Sequence, residues 1–486
     1  MGDAAGPLVV CTANPRYFAV ASDQTKAVYL TGSHVWNNFH DGLGPGGSCA
    51  DVPERNDFGA YLDFLAAHGH NFIRLWRWEH IRSQAAGGAF HLCMTPQPWT
   101  RTGSGLATDG KPKFDLSRFD EAYFTRLRER VSAAGDAGIY VDVMFFDGFA
   151  LHLSPPPDNV EGHPFHAANN VNGIGIGSIV DYQVLPLDPR VQALQEAYLR
   201  KVVDTVHDLP NVLYEVANES SGDTADAVQL PDGSAIPTPV GDSTAWQYWV
   251  IDFVRRYERE MGYARHPIGM TMQYPVPDQS KVNDPLFASP ADWVSPGFDE
   301  AEFTAAPGGG PAPGRWYADP PESSGAKVVI SDTDHYAPGQ GDALWAWKSF
   351  LRGHHLILMD YGIIDVVNPL DPALGVPSYE SLEPARYAMG DTRRFAERMN
   401  LVAMVPSGAL SSTGYALADP GTEYLVLQPE ETGAPFTVTL AAGSYTGEWY
   451  GVTSRETVDA GEVTGDASFA APFAGPAVLY LKRAGR

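Results

Sequence analysis

Across roughly its first 400 residues the chain alternates short apolar runs with amphipathic stretches, a rhythm that admits few folds. It is the sequence sign of repeated βα units and a parallel sheet. Eight candidate strands stand out: Ala27–Gly32, Asn71–Trp76, Gly138–Phe146, Asn211–Ala217, Pro267–Gln273, Asp292–Ser295, Lys327–Ser331 and His355–Met359. With helices between them they would close as an α/β (β/α)8 TIM barrel. Asp57 reads as the cap of a helix carrying Phe58, Tyr61, Leu62 and Leu65 on one face and ending at Gly69. Phe119, Tyr123, Leu127 and Val131 predict a second helix, Val191, Leu194, Tyr198 and Val202 a third, and Asp342 through Leu344, Trp347 and Leu351 one more.

Four long connections, Arg82–Lys113, Leu151–Pro186, Gly222–Pro239 and Val276–Ser324, are rich in Gly, Pro, Asn and Asp and fall where strands end. Loops of that length in a compact domain are usually functional. The bland alternative, a disordered insertion, fits the Gly/Pro run Ala305–Arg315 best. Leu8–Cys11, Tyr17–Val20 and Ala27–Leu30 suggest a hairpin plugging the bottom of the barrel. Near residue 400 the pattern changes to short alternating runs, Gly414–Asp419, Thr422–Gln428, Pro435–Leu440, Ser444–Val452, Asp466–Pro472 and Pro476–Arg483, with Asp419-Pro420-Gly421 as a turn signal. This predicts a barrel domain over 1–400 and a small antiparallel β-sandwich over 401–486.

Charge narrows the partners. Thirty-three basic against 59 acidic residues give a net charge of −26, which repels polyphosphates and anionic lipid alike, so nucleic acid and membrane surfaces are not expected. Cys11, Cys49 and Cys93 form no metal-like pair, and an odd count argues against a disulfide framework, so all three read as buried thiols. The first residues show no leader pattern, and no apolar run is long enough to span a membrane. A cytoplasmic protein, or a secreted one that has lost its leader, is expected.

The most chemical stretch is Asn211-Val-Leu-Tyr-Glu-Val-Ala-Asn218-Glu219-Ser220, a buried strand delivering an amide, a carboxylate and a hydroxyl to its C-terminal tip. Glycoside hydrolysis needs two carboxylates, one to protonate the leaving oxygen and one to attack or assist at the anomeric carbon. Glu219 closes the fourth strand, and Lys327-Val-Val-Ile-Ser-Asp332-Thr-Asp334-His335-Tyr336 brings two acids to the end of the seventh.

On Asn218-Glu219, and on Gly69-His-Asn71-Phe-Ile-Arg74-Leu-Trp76, the chain resembles the clan A glycoside hydrolases over about residues 8–400. The resemblance implies Glu219 as acid/base, Asn218 on the sugar 2-hydroxyl, Arg74 supporting the strand-seven carboxylate, and Tyr274 holding that carboxylate. It also implies a retaining mechanism without a cofactor or metal. The C-terminal part is similar to β modules appended to such enzymes, one type of which is named for collagen binding. The departure is on strand seven, where the clan places a Glu and this chain has Asp332 and Asp334. Asp332, nearest the expected position, is the favoured nucleophile and Asp334 the alternative. An Asp serving as the base of an inverting enzyme also stays open.

Other strand tips supply groups suited to sugars, whose faces stack on aromatic rings and whose hydroxyls need paired donors and acceptors. Expected substrate contacts are His34, Trp36, Trp76, Glu79, Asp147, His335 and Asp360, besides Asn218, Arg74 and Tyr274. Glu215 reads as a structural acid inside the barrel. A zinc amidohydrolase would use His68-Gly-His70, but that pair precedes strand two, at the wrong end of the barrel, and His354 and His355 fail likewise. A non-catalytic sugar-binding barrel is the other alternative. The expected substrate is a small glycoside or oligosaccharide taken from its end, because the long loops would wall off a cleft.

Overall fold

The computed structural model describes residues 4, 6–45, 49, 56–85, 90–152, 160–223, 228–229, 235–236, 241–299, 314–363, 379–431 and 433–485. Eight parallel strands form one sheet: β1 (Thr31–His34), β2 (Phe72–Leu75), β3 (Tyr140–Asp147), β4 (Val212–Asn218), β5 (Ile268–Thr271), β6 (Trp293–Ser295), β7 (Val328–Asp332) and β8 (His355–Met359). Their hydrogen-bonded order is β1-β8-β7-β6-β5-β4-β3-β2, so the sheet curls until its two ends meet as a (β/α)8 barrel. Seven expected strands fall within two residues of these bounds at their starts. The first does not. Asp23–Val28 pairs back on Phe18–Val20 in an antiparallel sheet with Leu8–Val10, and the barrel strand is the polar Thr31-Gly-Ser-His34, which no apolar run announces.

The meeting of β1 and β2 is sewn by two asparagine side chains. At the bottom, Asn71 Oδ1 accepts from Thr31 N at 2.9 Å and Asn71 Nδ2 donates to Tyr29 O at 2.8 Å. At the top, Asn38 Nδ2 donates to Arg74 O at 2.7 Å and Asn38 Oδ1 accepts from Trp76 N at 2.9 Å. Between them the strands approach so closely that a Cβ on Gly32 would lie 1.8 Å from Phe72 O. Below, Leu8 and Phe18 of the N-terminal sheet join Leu30, Phe72, Tyr140, Leu213, Trp293 and Val328 in an apolar cluster that closes the barrel bottom, as the sequence suggested.

The helices wrap the barrel: α1 (Phe58–Ala67), α2 (Glu121–Asp136), α3 (Pro189–Val206), α4 (Thr244–Met261), α5 (Ala343–Leu351) and α6 (Glu383–Arg398). Asp57, Asp120, Asp188 and Asp342 cap four of them by accepting backbone N–H groups of the first turn. Phe119, expected on α2, instead ends the hairpin strand Pro112–Phe119, paired with Trp99–Leu106. The expected loop Arg82–Lys113 therefore holds β-structure on the barrel mouth. Gly222–Pro239 and the Ala305–Arg315 run lie mostly outside the described residues.

The expectation of three free thiols is corrected: Cys49 and Cys93 form a disulfide and only Cys11 is free. Spacing alone could not show it, because the two cysteines meet only once the strand Phe90–Thr95 is folded back over the mouth. No helix among the described residues is long and apolar enough to cross a membrane.

After α6 the chain forms a six-stranded antiparallel sheet with a two-stranded sheet, Phe436–Val438 and Ala467–Phe469, packed on it. Thr457–Thr464, a largely exposed edge strand, was not legible in the sequence. This domain is tied to the barrel through α6: Tyr450 Oη donates to Asp391 and Arg455 Nε donates to the same carboxylate at 2.8 Å.

Replacing Asn71 with Ala leaves Thr31 N–H and Tyr29 C=O buried without these partners, at about 1–2 kcal/mol each. Chemical denaturation of Asn71→Ala is expected to show a loss of about 2–4 kcal/mol.

Candidate active site

At the top of the barrel the side chains gather around one guanidinium. Arg74 sits inside β2, 2% exposed, and donates from Nε to Glu215 Oε2 at 2.6 Å and from Nη2 to Glu215 Oε1 at 2.5 Å and Asn218 Oδ1 at 2.7 Å. Its Nη1 reaches Asp334 Oδ2 at 3.1 Å and Asp332 Oδ2 at 3.4 Å. The ring of Trp76 lies against it, 4.6 Å from centroid to Cζ. Arg74 thus joins the tips of β4 and β7. Glu215 is the structural acid expected.

The two strand-seven acids differ sharply. β7 ends at Asp332, whose Oδ1 accepts from Asp334 N at 2.9 Å and caps the turn Thr333–His335. The same oxygen meets His34 Nε2 at 3.1 Å. Burial would raise the Asp332 carboxyl, but His34, His335 and Arg74 outweigh it and hold Asp332 well below the usual range. Asp334 lies beyond the turn. Burial and the neighbouring Asp332 push it up to about 6, against the pull of Arg74.

Glu219 stands opposite. It carries a positive φ of 42°, a conformation that costs a non-glycine residue stability and collects at functional sites. Its neighbours hold it there: neutral His152 donates from Nε2 to Glu219 O at 2.9 Å, Tyr274 N donates to Ser220 O at 3.0 Å, and Ser220 Oγ donates to Gln183 Oε1 at 2.9 Å. Gly148 makes room, since a Cβ there would lie 2.6 Å from Ser220 Cα. Burial, then the charge of Asp334, raises the Glu219 carboxyl well above its ordinary value. A carboxyl oxygen of Glu219, one of Asp334 and a ring nitrogen of His335 all lie within 4.8 Å of one another.

Those three groups are of metal-binding type. Arg74, 3.1 Å from Asp334, already supplies the positive charge that an ion would bring. The histidines considered for zinc have other work: His68 bonds Glu383 and Phe64 O, and His70 bonds Arg386 O.

Of the expected substrate contacts, His34, Asn218, Tyr274 and His335 surround the carboxylates. His335 shares a hydrogen bond between Nδ1 and Ser295 Oγ at 2.8 Å and is held neutral, lowered to about 3 by burial. Burial and the charge of Glu219 raise Tyr274 to about 12. Trp36, partly buried, meets Tyr361 edge-to-face at 5.1 Å, and that tyrosine, at the tip of β8, feels the charge of both Asp334 and Glu219. Tyr361 follows Asp360 in the sequence, among the strand-tip groups suited to a sugar.

Two expected contacts are engaged elsewhere. Glu79 is wholly buried, accepting from Asp147 N at 2.8 Å, His163 Nε2 at 3.0 Å and Tyr182 Oη at 2.7 Å. Asp360 is paired with Arg386 of α6 at 2.7 and 2.8 Å. Their partners come from distant segments. Trp76 is sealed between Arg74, His34 and Trp78. Asp147, fully buried, accepts from Ala150 N and lies 3.4 Å from Asn218 Nδ2. Its carboxyl is raised to about 8, chiefly by burial.

A (β/α)8 barrel with facing carboxylates at the tips of its fourth and seventh strands is the scaffold these residues define. No family model matches the chain, and no curated protein does. Among solved structures it is similar in fold to a glycoside hydrolase at 14% identity, TM-score 0.59, covering 99% of this chain and 98% of that one. A family 5 glycoside hydrolase from Bacteroides vulgatus ATCC 8482 is alike at 13% identity, TM-score 0.58, covering 99% and 94%. The barrel and the C-terminal sheet domain are thus shared end to end, and at these identities the likeness is one of fold.

A raised carboxyl makes the folded state most favoured below its unfolded value, 3.8 for Asp334, and that contribution is lost as pH rises through about 6. Asp334→Asn is therefore expected to be more stable than the parent at pH 7, on the order of 1–3 kcal/mol, with the gain vanishing near pH 4 in paired denaturation curves.

Proposed function

We propose that the protein is a glycoside hydrolase in which Glu219 is the acid/base and Asp334 the carboxylate that attacks the anomeric carbon. The observation that carries this reading is the approach of Glu219 and Asp334 oxygens to within 4.8 Å. Retaining enzymes hold their carboxyls about 5–5.5 Å apart and inverting ones about 6.5–9.5 Å apart, so the spacing supports retention. Asp332, the residue favoured from sequence, has its oxygens taken by His34, Asp334 N and Arg74. Its role in this reading is to orient the turn and to raise Asp334 by its charge.

The protonation states support the same division of labour. Glu219, raised well above its ordinary value, keeps a proton to give to the leaving oxygen, while Asp334 is ionised above about pH 6. As the nucleophile forms its bond to carbon, Arg74 loses part of the charge it faces on Asp334 and keeps Asp332 and Glu215. Water then attacks the glycosyl ester with Glu219 as base. Asn218, fixed by Arg74 through Oδ1, reaches Asp147 with one Nδ2 hydrogen and has the other to offer a sugar hydroxyl, and Trp36 with Tyr361 supplies an aromatic wall. Small glycosides or oligosaccharides attacked from one end are the proposed substrates.

Glu219→Gln is expected to lose about 10²–10⁴-fold in kcat on natural glycosides while still binding them. Proton NMR of the parent's first product is expected to show the substrate's anomer; the opposite anomer would establish inversion and free Asp334 from the nucleophile role. Sugar binding by a parent protein that releases none would leave only the non-catalytic barrel.

The pH profile offers a separate check. kcat/KM is expected to fall about tenfold per unit below pH 6, as the Asp334–Glu219 pair gains its second proton.

A further inference from the structure

One buried acid is left over by this site. Asp142, on β3, lies inside the barrel 1% exposed, beside Arg74 in strand register and next to β4. An arginine has five N–H donors, and all those of Arg74 are spoken for: Nε and one Nη2 hydrogen by Glu215, the other by Asn218, and Nη1 by Asp332 and Asp334. Asp142 therefore has no share in the guanidinium. The group within hydrogen-bonding reach is the Glu215 carboxyl, and Asp142 Oδ1 has no partner. Two carboxyl groups can hydrogen-bond only through a proton held between them.

We propose that Asp142 is a protonated acid at working pH that donates its hydrogen to Glu215, and so acts as a positioning residue that keeps Arg74 aimed at Asp332 and Asp334. The charged and titratable groups facing Asp142 are Arg74 from β2, Glu215 from β4 and Asp332 from β7. Burial and Glu215 raise Asp142, and the pull of Arg74 does not reverse this. A charge on Asp142 would add to the negative charge of Asp332 and Asp334 around the single guanidinium and oppose the ionisation of Asp334, and a proton held there avoids it. The functional half of this inference rests on the glycosidase reading; the proton itself does not.

The test pairs spectroscopy with kinetics. Asn at position 142 keeps the shape, the donor and the neutral charge of the protonated acid. The infrared spectrum at pH 7, parent minus Asp142→Asn, is expected to show a protonated-carboxyl C=O band, with kcat/KM and its acidic limb within twofold and about 0.3 pH unit of the parent. Absence of the band, or an acidic limb lowered by a unit or more in Asp142→Asn, would overturn the proposal by showing that a charge had been removed. If Asn does not fold, Asp142→Ser, a smaller neutral donor, serves as the reference for the same band. Asp142→Leu, which cannot donate, is expected to lower kcat at least tenfold with KM within threefold and to move the acidic limb; a parent-like profile would also sink the idea. A protein that shows the band but hydrolyses no glycoside would uphold the proton and discard the proposed function.

Discussion

The site is organised by a single buried cation. Arg74 comes from β2, yet it fixes Glu215 and Asn218 of β4 and the two acids at the end of β7. A desolvated guanidinium is tolerable only when its donors are paired, and pairing all of them leaves one orientation for the group. The acids it joins are then set apart by burial and by their other neighbours. Asp332, gripped by Arg74 and His34, is a fixed negative charge. Asp334, raised by burial and by the charge of Asp332 against the pull of the guanidinium 3.1 Å away, stays available to titrate.

Around that centre the fold spends its less favourable geometry in one place. Glu219 takes a left-handed backbone conformation, and Gly148, His152 and the segment before Pro275 hold it there. The strained residue is the one whose carboxyl projects toward Asp334. Rigid partners on three sides suit a group that must give and regain a proton without moving its chain.

The periodicity of the barrel and two of the capped helices was legible because each rests on local physics: apolar runs for strands, Asp57 and Asp342 for helix starts. The strand Thr31–His34 was not, since none of its four residues is a large apolar one and it breaks the apolar pattern. Asn218, Glu219 and Arg74 could be picked out by motif. Choosing between Asp332 and Asp334 could not be done that way, because two residues of spacing look alike in an extended strand and become different only when the chain turns at Thr333–His335. Glu79 and Asp360 show a related ambiguity. A buried acid at a strand tip signals a partner, and the sequence does not say whether that partner is a sugar or, as here, His163 and Tyr182 for one and Arg386 for the other.

The asparagine-sewn junction of β1 and β2 has a consequence for how the protein would fail. His34 stands on one side of that seam and Arg74 on the other, and both converge on Asp332. The other strand junctions are knitted by backbone ladders, whereas this one has the backbone bond from Asn71 N to Thr31 O at 2.9 Å and otherwise leans on the side chains of Asn38 and Asn71. Partial opening there separates the two groups that stabilise one carboxylate while leaving the remaining ladders and the C-terminal sheet in place. Inactivation by heat or denaturant would then precede global unfolding, as a local event at the barrel's weakest join.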